Sequence, residues 1–292
     1  MILVAAQFSA NLLKDVAGML ATDFMPRAFI AGGSIAVAAG LVGYFVVLRN
    51  QVFTSDALGH VAFTGGLGGV LVGAPLVVAV FGTTIGGSLA IGSLGGRGRG
   101  RDIAIGTVFA WVLGLGVLFL SIYTTARSGA SGTLGVSVLF GSILSLQPGQ
   151  AAVASGAAIV TSVALLAIAR PLLFASVDPD VAAARAVPVR LVTLMFLVLL
   201  GLTVAEAVQA VGALLIFGLL ATPAAIAQGL TANPYAGMAA AAGLGLLFVW
   251  LGLSIAFYVP VPASFVIITI SFGTYVISTL ASRLTRRSPL PD

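Results

Sequence analysis

The sequence predicts an all-α integral membrane protein, a polytopic helical bundle of about 8–9 transmembrane helices with one short re-entrant helix. The chain is 60% hydrophobic and only 7% charged, whereas a soluble domain carries roughly 25% charged residues. Apolar stretches recur at about 20 residues, the length that crosses a hydrocarbon core of about 30 Å. The arginines gather at the ends of those stretches, where positive charge marks the cytoplasmic face. A net charge of +5 therefore reads as topology rather than as a nucleic-acid surface. Cysteine is absent, which excludes thiolate metal sites and disulfides.

Residues 1–25 mix Leu12, Leu13, Met19 and Phe24 with Asn11, Lys14, Asp15 and Asp23. That mixture predicts an amphipathic segment lying at the interface, and the absence of a basic leader argues against a cleaved signal. A single transmembrane domain over 26–282 follows. Ala28–Leu48 spans and is closed by Arg49; Leu58–Val72 and Pro75–Leu94 come next, parted by Gly73-Ala74-Pro75. The loop Gly95 to Arg101 is the densest positive run, and Ile103–Tyr123 spans after it. Leu134–Leu146 is too short to cross and reads as a re-entrant half-helix before Ala151–Ala169. A polar segment at about 174–190 precedes four apolar stretches, Leu191–Ala205, Ala210–Ala227, Ala236–Tyr258 and Ala263–Leu280, and residues 283–292 form a tail. Placing 97–101, 170–190 and 283–287 on the cytoplasmic side gives nine crossings or so, provided that 134–146 re-enters.

An ionisable group in the bilayer centre costs roughly 2.5–3.5 kcal/mol, so it is paired, wet or functional. Asp56 and His60 stand four residues apart, on one helix face, and His60 is the single histidine. A hard carboxylate oxygen beside an imidazole nitrogen suits Mn²⁺, Fe²⁺ or Zn²⁺ better than Cu⁺. The same spacing also fits a plain hydrogen-bonded pair at a helix end. Two protein ligands make an incomplete site, which fits passage better than storage. Gly65 to Gly69 follow directly and read as packing residues or as a path lining. Thr222-Pro223 interrupts an apolar helix and predicts a bend. Glu206 and Gln209 are expected at a solvated outer turn. Gly129-Ala130-Ser131-Gly132 resembles the nucleophile motif of rhomboid proteases, but the sole histidine lies far upstream. The one lysine, Lys14, has no phosphate-binding loop around it, so no Walker nucleotide site exists in this chain.

Three stretches resemble the permease subunits of ABC importers for zinc, manganese and iron(II). Gly43 to Arg49 with Ser55-Asp56-Ala57-Leu58-Gly59-His60 is similar to the family's G-x-F-x-V-L-R followed by G-D-A-x-x-H. Phe174 to Val189 resembles its F-D-x-x-x-A-x-x-x-G-v-x-v segment. Val211-Gly212-Ala213-Leu214-Leu215 with Pro223-Ala224-Ala225 is similar to its V-G-x-L-L…P-A-A signature. Ala186 and Ser55 stand where the family has glycine.

The resemblance implies the fold of the vitamin B12 and haem importers, in a bacterial cytoplasmic membrane. It implies a homodimeric pore, two cytoplasmic ATP-binding subunits and an extracellular metal-binding protein. No cofactor is held permanently; the metal, Zn²⁺ or Mn²⁺ and less expectedly Fe²⁺, is cargo. Asp56 and His60 match the metal-contacting positions. Asp178, Pro179, Asp180, Ala182, Arg185 and Pro188 match the segment that docks on the ATPase. Gly65, Gly69, Thr222 and Pro223 are then expected to line or gate the path, with the ion meeting Asp56 and His60 before descending past Gly65–Gly69. The rival is a stand-alone secondary cation transporter or channel, which normally carries an inverted repeat that this sequence does not display.

Overall fold

The structure is a computed structural model that describes residues 17–93, 99–126, 141, 143–213 and 216–285. The described residues form no strand. After a short helical piece at 17–20 come α1 (Met25–Leu48), α2 (Val52–Leu71), α3 (Leu76–Ser93) and α4 (Arg99–Ala126). A 3-10 turn at Ile143–Ser145 leads to α5 (Pro148–Val177), the short α6 (Pro179–Ala184) and α7 (Val189–Ala210). The chain then runs through α8 (Ile216–Leu230), α9 (Pro234–Tyr258) and α10 (Ala263–Thr285).

Seven of these helices are long and apolar enough to cross a bilayer, against the nine or so expected. The shortfall has two physical sources. α2 has the length, at 20 residues, but Asp56, His60 and its glycines dilute its apolar character. α8 has only 15 residues, because it starts inside the protein: Val211, Gly212 and Ala213 just before it are buried. Most of the expected segment 1–25, most of the basic loop at 95–101 and the Gly129 to Gly132 stretch lie outside the described residues. So do most of Leu134–Leu146 and the tail beyond residue 285.

α1 is the central helix. α9, α5, α8 and α7 pack around it, and Ala28, Ala31, Ala36, Ala38 and Ala39 are buried against them. Lipid offers no hydrophobic drive between helices, so close backbone approach has to supply the attraction. A methyl group on Gly40 would sit 2.6 Å from the Ala241 carbonyl oxygen of α9, and one on Gly43 would collide with the Leu220 carbonyl oxygen of α8. Gln228 locks the same α1–α8 crossing, its Nε2 donating to the Tyr44 carbonyl at 2.9 Å. α10 lies at one rim on α8 and α9, and α4 lies at the other, packed chiefly on α2. Their outer faces expose Val108, Trp111 and Val117, and Phe265, Phe272 and Ile277.

Two turns set the geometry at one end of the bundle. At the end of α1, Gln51 N–H donates to the Val46 carbonyl and Asn50 N–H to that of Val47, with Asn50 at φ +52°. At the end of α6, Val187 N–H donates to Ala182 and Ala186 N–H to Ala183, with Ala186 at φ +59°. Both are the paired closing bonds of a Schellman helix stop. Ala186 thus keeps the turn that the expected glycine would make, in a left-handed conformation that glycine adopts without strain.

Candidate functional site

The site is built on α2. Gln51 opens the helix and is buried, and Ser55 is held by its hydroxyl donating to the Val52 carbonyl at 2.6 Å. One turn apart on the same face stand Asp56, half-buried, and His60, only 8% exposed. The His60 ring meets Phe109 of α4 edge-on, 5.0 Å between centroids at 79°. Phe109 also meets Phe53 of α2 at 5.8 Å. The Thr64 hydroxyl donates to the Val112 carbonyl at 2.9 Å, so α2 and α4 are tied one turn beyond His60. His60 Nδ1 is buried and has no hydrogen-bond partner among the described residues. Buried polar atoms are normally satisfied, and an orphaned imidazole nitrogen is a donor available to a ligand. Among the described residues no group of three His, Cys, Asp or Glu is placed to hold a metal. Asp56 and His60 thus offer two candidate donor groups on one face of α2.

The V-G-x-L-L stretch comes to this site. Gly212 has φ +94°, and the chain it turns brings the Ala213 carbonyl oxygen within 3.2 Å of where a methyl on Gly59 would stand. Ile216, at the start of α8, closes on the same glycine. Two sequence motifs distant along the chain thus meet next to His60.

Other expected site residues fall elsewhere. A methyl on Gly65 would collide with Thr83 of α3, and one on Gly69 with Ala79; within the protomer these glycines permit close packing on α3. α2 starts beside the α5–α6–α7 segment and runs away from it. At 1.5 Å per residue, Gly65 and Gly69 are ~7 and ~13 Å further from that segment than His60. Toward α6, the helix therefore presents Gly69 and Gly65 first and His60 and Asp56 after them. Pro223 lies buried within α8, next to the crossing of Leu220 on Gly43 rather than at the Gly59 contact.

Glu206 departs most from expectation. It is fully buried in α7; the Thr161 hydroxyl of α5 donates to its Oε1 at 3.4 Å, and Oε2 has no hydrogen-bond partner. The apolar run ending at Ala205 hid the fact that α7 continues in the interior through Val208.

At the α6 end, Asp178 caps the helix: its Oδ1 accepts from the backbone N–H of Asp180 at 3.1 Å and of Val181 at 3.0 Å, with Pro179 in the first turn. Ala182 is buried, while Asp180, Val181, Arg185 and Pro188 are exposed. Arg49, half-buried at the end of α1, reaches the helices on both sides of α6. Its Nη1 donates to Ser176 Oγ and its Nη2 to Thr193 Oγ1, both at 3.0 Å. Its guanidinium lies over the Phe196 ring, 5.5 Å from the centroid.

The family model described as the ABC 3 transport family matches residues 21–282. An uncharacterized membrane protein of Synechocystis is 30% identical over 275 residues, 93% of this chain and 95% of its own length. The manganese import system permease protein ScaB of Streptococcus parasanguinis is 29% identical over 89% of this chain and 91% of its own. Among solved structures, PsaBC from Streptococcus pneumoniae, in complex with Fab, superposes with a TM-score of 0.80 at 25% identity. That match covers 91% of this chain and 95% of the other.

Proposed function

The chain belongs to the ABC 3 transport family, and on that premise we propose that it is the permease of an ATP-driven importer whose cargo is a divalent transition metal. It is a multi-pass membrane protein. Its energy comes from a separate ATPase subunit, and the α6 end is the cytoplasmic face, since Arg49, Arg170, Arg185, Arg190 and Arg283 collect there. The exposed residues of the capped α6, Asp180, Val181, Arg185 and Pro188, form the docking surface for that subunit.

The observation that carries the metal assignment is the pair on α2: a half-buried carboxylate and a buried imidazole with an unpartnered nitrogen, one turn apart. Oxygen plus imidazole suits Mn²⁺, Fe²⁺ and Zn²⁺, and the name of the ScaB relative makes Mn²⁺ the first cargo to test. Two ligands hold an ion weakly, which fits a waypoint. A second copy of the chain supplies the opposing wall of the path, and an extracellular binding protein delivers the ion. The ion passes the level of Gly65–Gly69 before it reaches His60 and Asp56.

The test is uptake of Mn²⁺, Zn²⁺ and Fe²⁺ into proteoliposomes holding the permease with its ATPase, with the delivery protein outside. ATP-dependent accumulation of one of them is expected. Accumulation driven by an ion gradient without the ATPase would overturn the reading.

A further inference from the structure

We propose that Arg49 is the mechanical link between the α6 segment and the metal helix α2. The inference rests on the importer reading and adds a positioning residue to it. Three features converge. First, Arg49 holds both helices that flank α6: Ser176 lies two residues before Asp178 on α5, and Thr193 is in the second turn of α7. A guanidinium presents its donors in a rigid plane, so two hydroxyls at 3.0 Å fix its orientation, and stacking on Phe196 fixes its plane.

Second, the anchors are themselves held. The Ser176 hydroxyl, while accepting from Arg49, donates to the Leu172 carbonyl at 2.5 Å, so a displacement of the last turn of α5 is passed to the arginine rather than absorbed by a free rotor.

Third, Arg49 is joined to α2 by a stiff connection. The closing bonds Gln51 N–H to Val46 and Asn50 N–H to Val47 leave one left-handed residue between two helices. α1 and α2 scarcely pack on one another along their length. That turn and the grip of Arg49 thus act on the start of α2, whose remaining packing is chiefly against α3, α4 and α7. Asp56 lies in the second turn of α2. Movement of α6 consequently reaches the carboxylate through a hydrogen-bonded fork and a closed turn, with no loop in between.

The experiment compares the wild-type complex with Arg49→Gln and Arg49→Lys, and with a Ser176→Ala/Thr193→Val double variant that leaves the arginine in place. ATP hydrolysis and Mn²⁺ uptake are measured in the same proteoliposomes. The expected result is that Arg49→Gln keeps hydrolysis within about twofold and lowers Mn²⁺ moved per ATP at least tenfold. The double variant moves the same ratio in the same direction, and Arg49→Lys, which retains the charge but not the fork, does not restore it. A merely structural residue would lower both rates together and leave the ratio unchanged. An unchanged ratio in both Arg49→Gln and the double variant overturns the link. If Arg49→Gln fails to assemble, the ratio in the double variant decides alone. Absence of ATP-driven uptake in the wild type would instead overturn the importer reading itself.

Discussion

The His60 imidazole stands edge-on to the Phe109 ring, 5.0 Å between centroids, so an aromatic side chain on the rim helix α4 orients the imidazole that we propose meets the metal. Such a pair contributes about 0.5–1.5 kcal/mol beyond its buried area. Phe109→Ala is expected to leave the complex assembled and to raise the Mn²⁺ concentration for half-maximal uptake by about threefold to tenfold. An unchanged concentration dependence would show that the ring does not position His60.

Asp56→Ala and His60→Ala remove one of two donors each. Both variants are expected to assemble and hydrolyse ATP yet accumulate no Mn²⁺ above background. Wild-type uptake in either one would remove that residue from the path.

Ala186 occupies a left-handed conformation at φ +59°, which costs an L-residue about 1–2 kcal/mol. Ala186→Gly is expected to raise the melting temperature of the detergent-solubilised protein, with about 1 kcal/mol of stabilisation. Ala186→Val is expected to lower it, because a β-branched side chain tolerates this region least. Identical melting curves for the three proteins would mean that the turn is not kept in solution.

Asp178 accepts two backbone N–H bonds at the start of α6. Loss of such a cap costs about 1 kcal/mol, enough to fray a helix of one and a half turns. Asp178→Ala is expected to reduce co-purification of the ATPase subunit while the membrane bundle keeps its melting temperature. Asp178→Asn, which can still cap, should restore the complex. Equal ATPase recovery with all three would detach α6 from docking.

Gly43 faces the Leu220 carbonyl oxygen so closely that no methyl group fits. Backbone cannot rotate aside as a side chain can, so Gly43→Ala must part α1 from α8, at about 1–3 kcal/mol. A lowered melting temperature is expected, measured against Gly82→Ala, where an added methyl group meets nothing within 4 Å.

Much of this is legible in the amino-acid sequence. Apolar length located α1, α3, α5 and α9. The i,i+4 relation of Asp56 and His60 follows from helix geometry alone. What escaped depends on contacts across the chain. Glu206 follows an apolar run and precedes Gln209, a pattern that also describes a helix leaving the membrane. Only the packing of α5 and α7 buries it. The seat of Gly59 against Ala213 and Ile216 joins motifs more than 150 positions apart, beyond any local period. The direction of α2 relative to α6, which sets Gly65 and Gly69 farther from α6 than His60, is a tertiary fact, made visible through Arg49.

α4 rests chiefly on α2 and leaves Val108, Trp111 and Val117 exposed on its outer face. Any swing of α2 would therefore carry α4 and its apolar outer face with it, as an oar moves with its shaft. Where acyl chains surround that face, the viscosity of the membrane becomes a frictional load on the helix that bears Asp56 and His60. Growth temperature and lipid saturation would then enter the rate of transport without touching a single ligand.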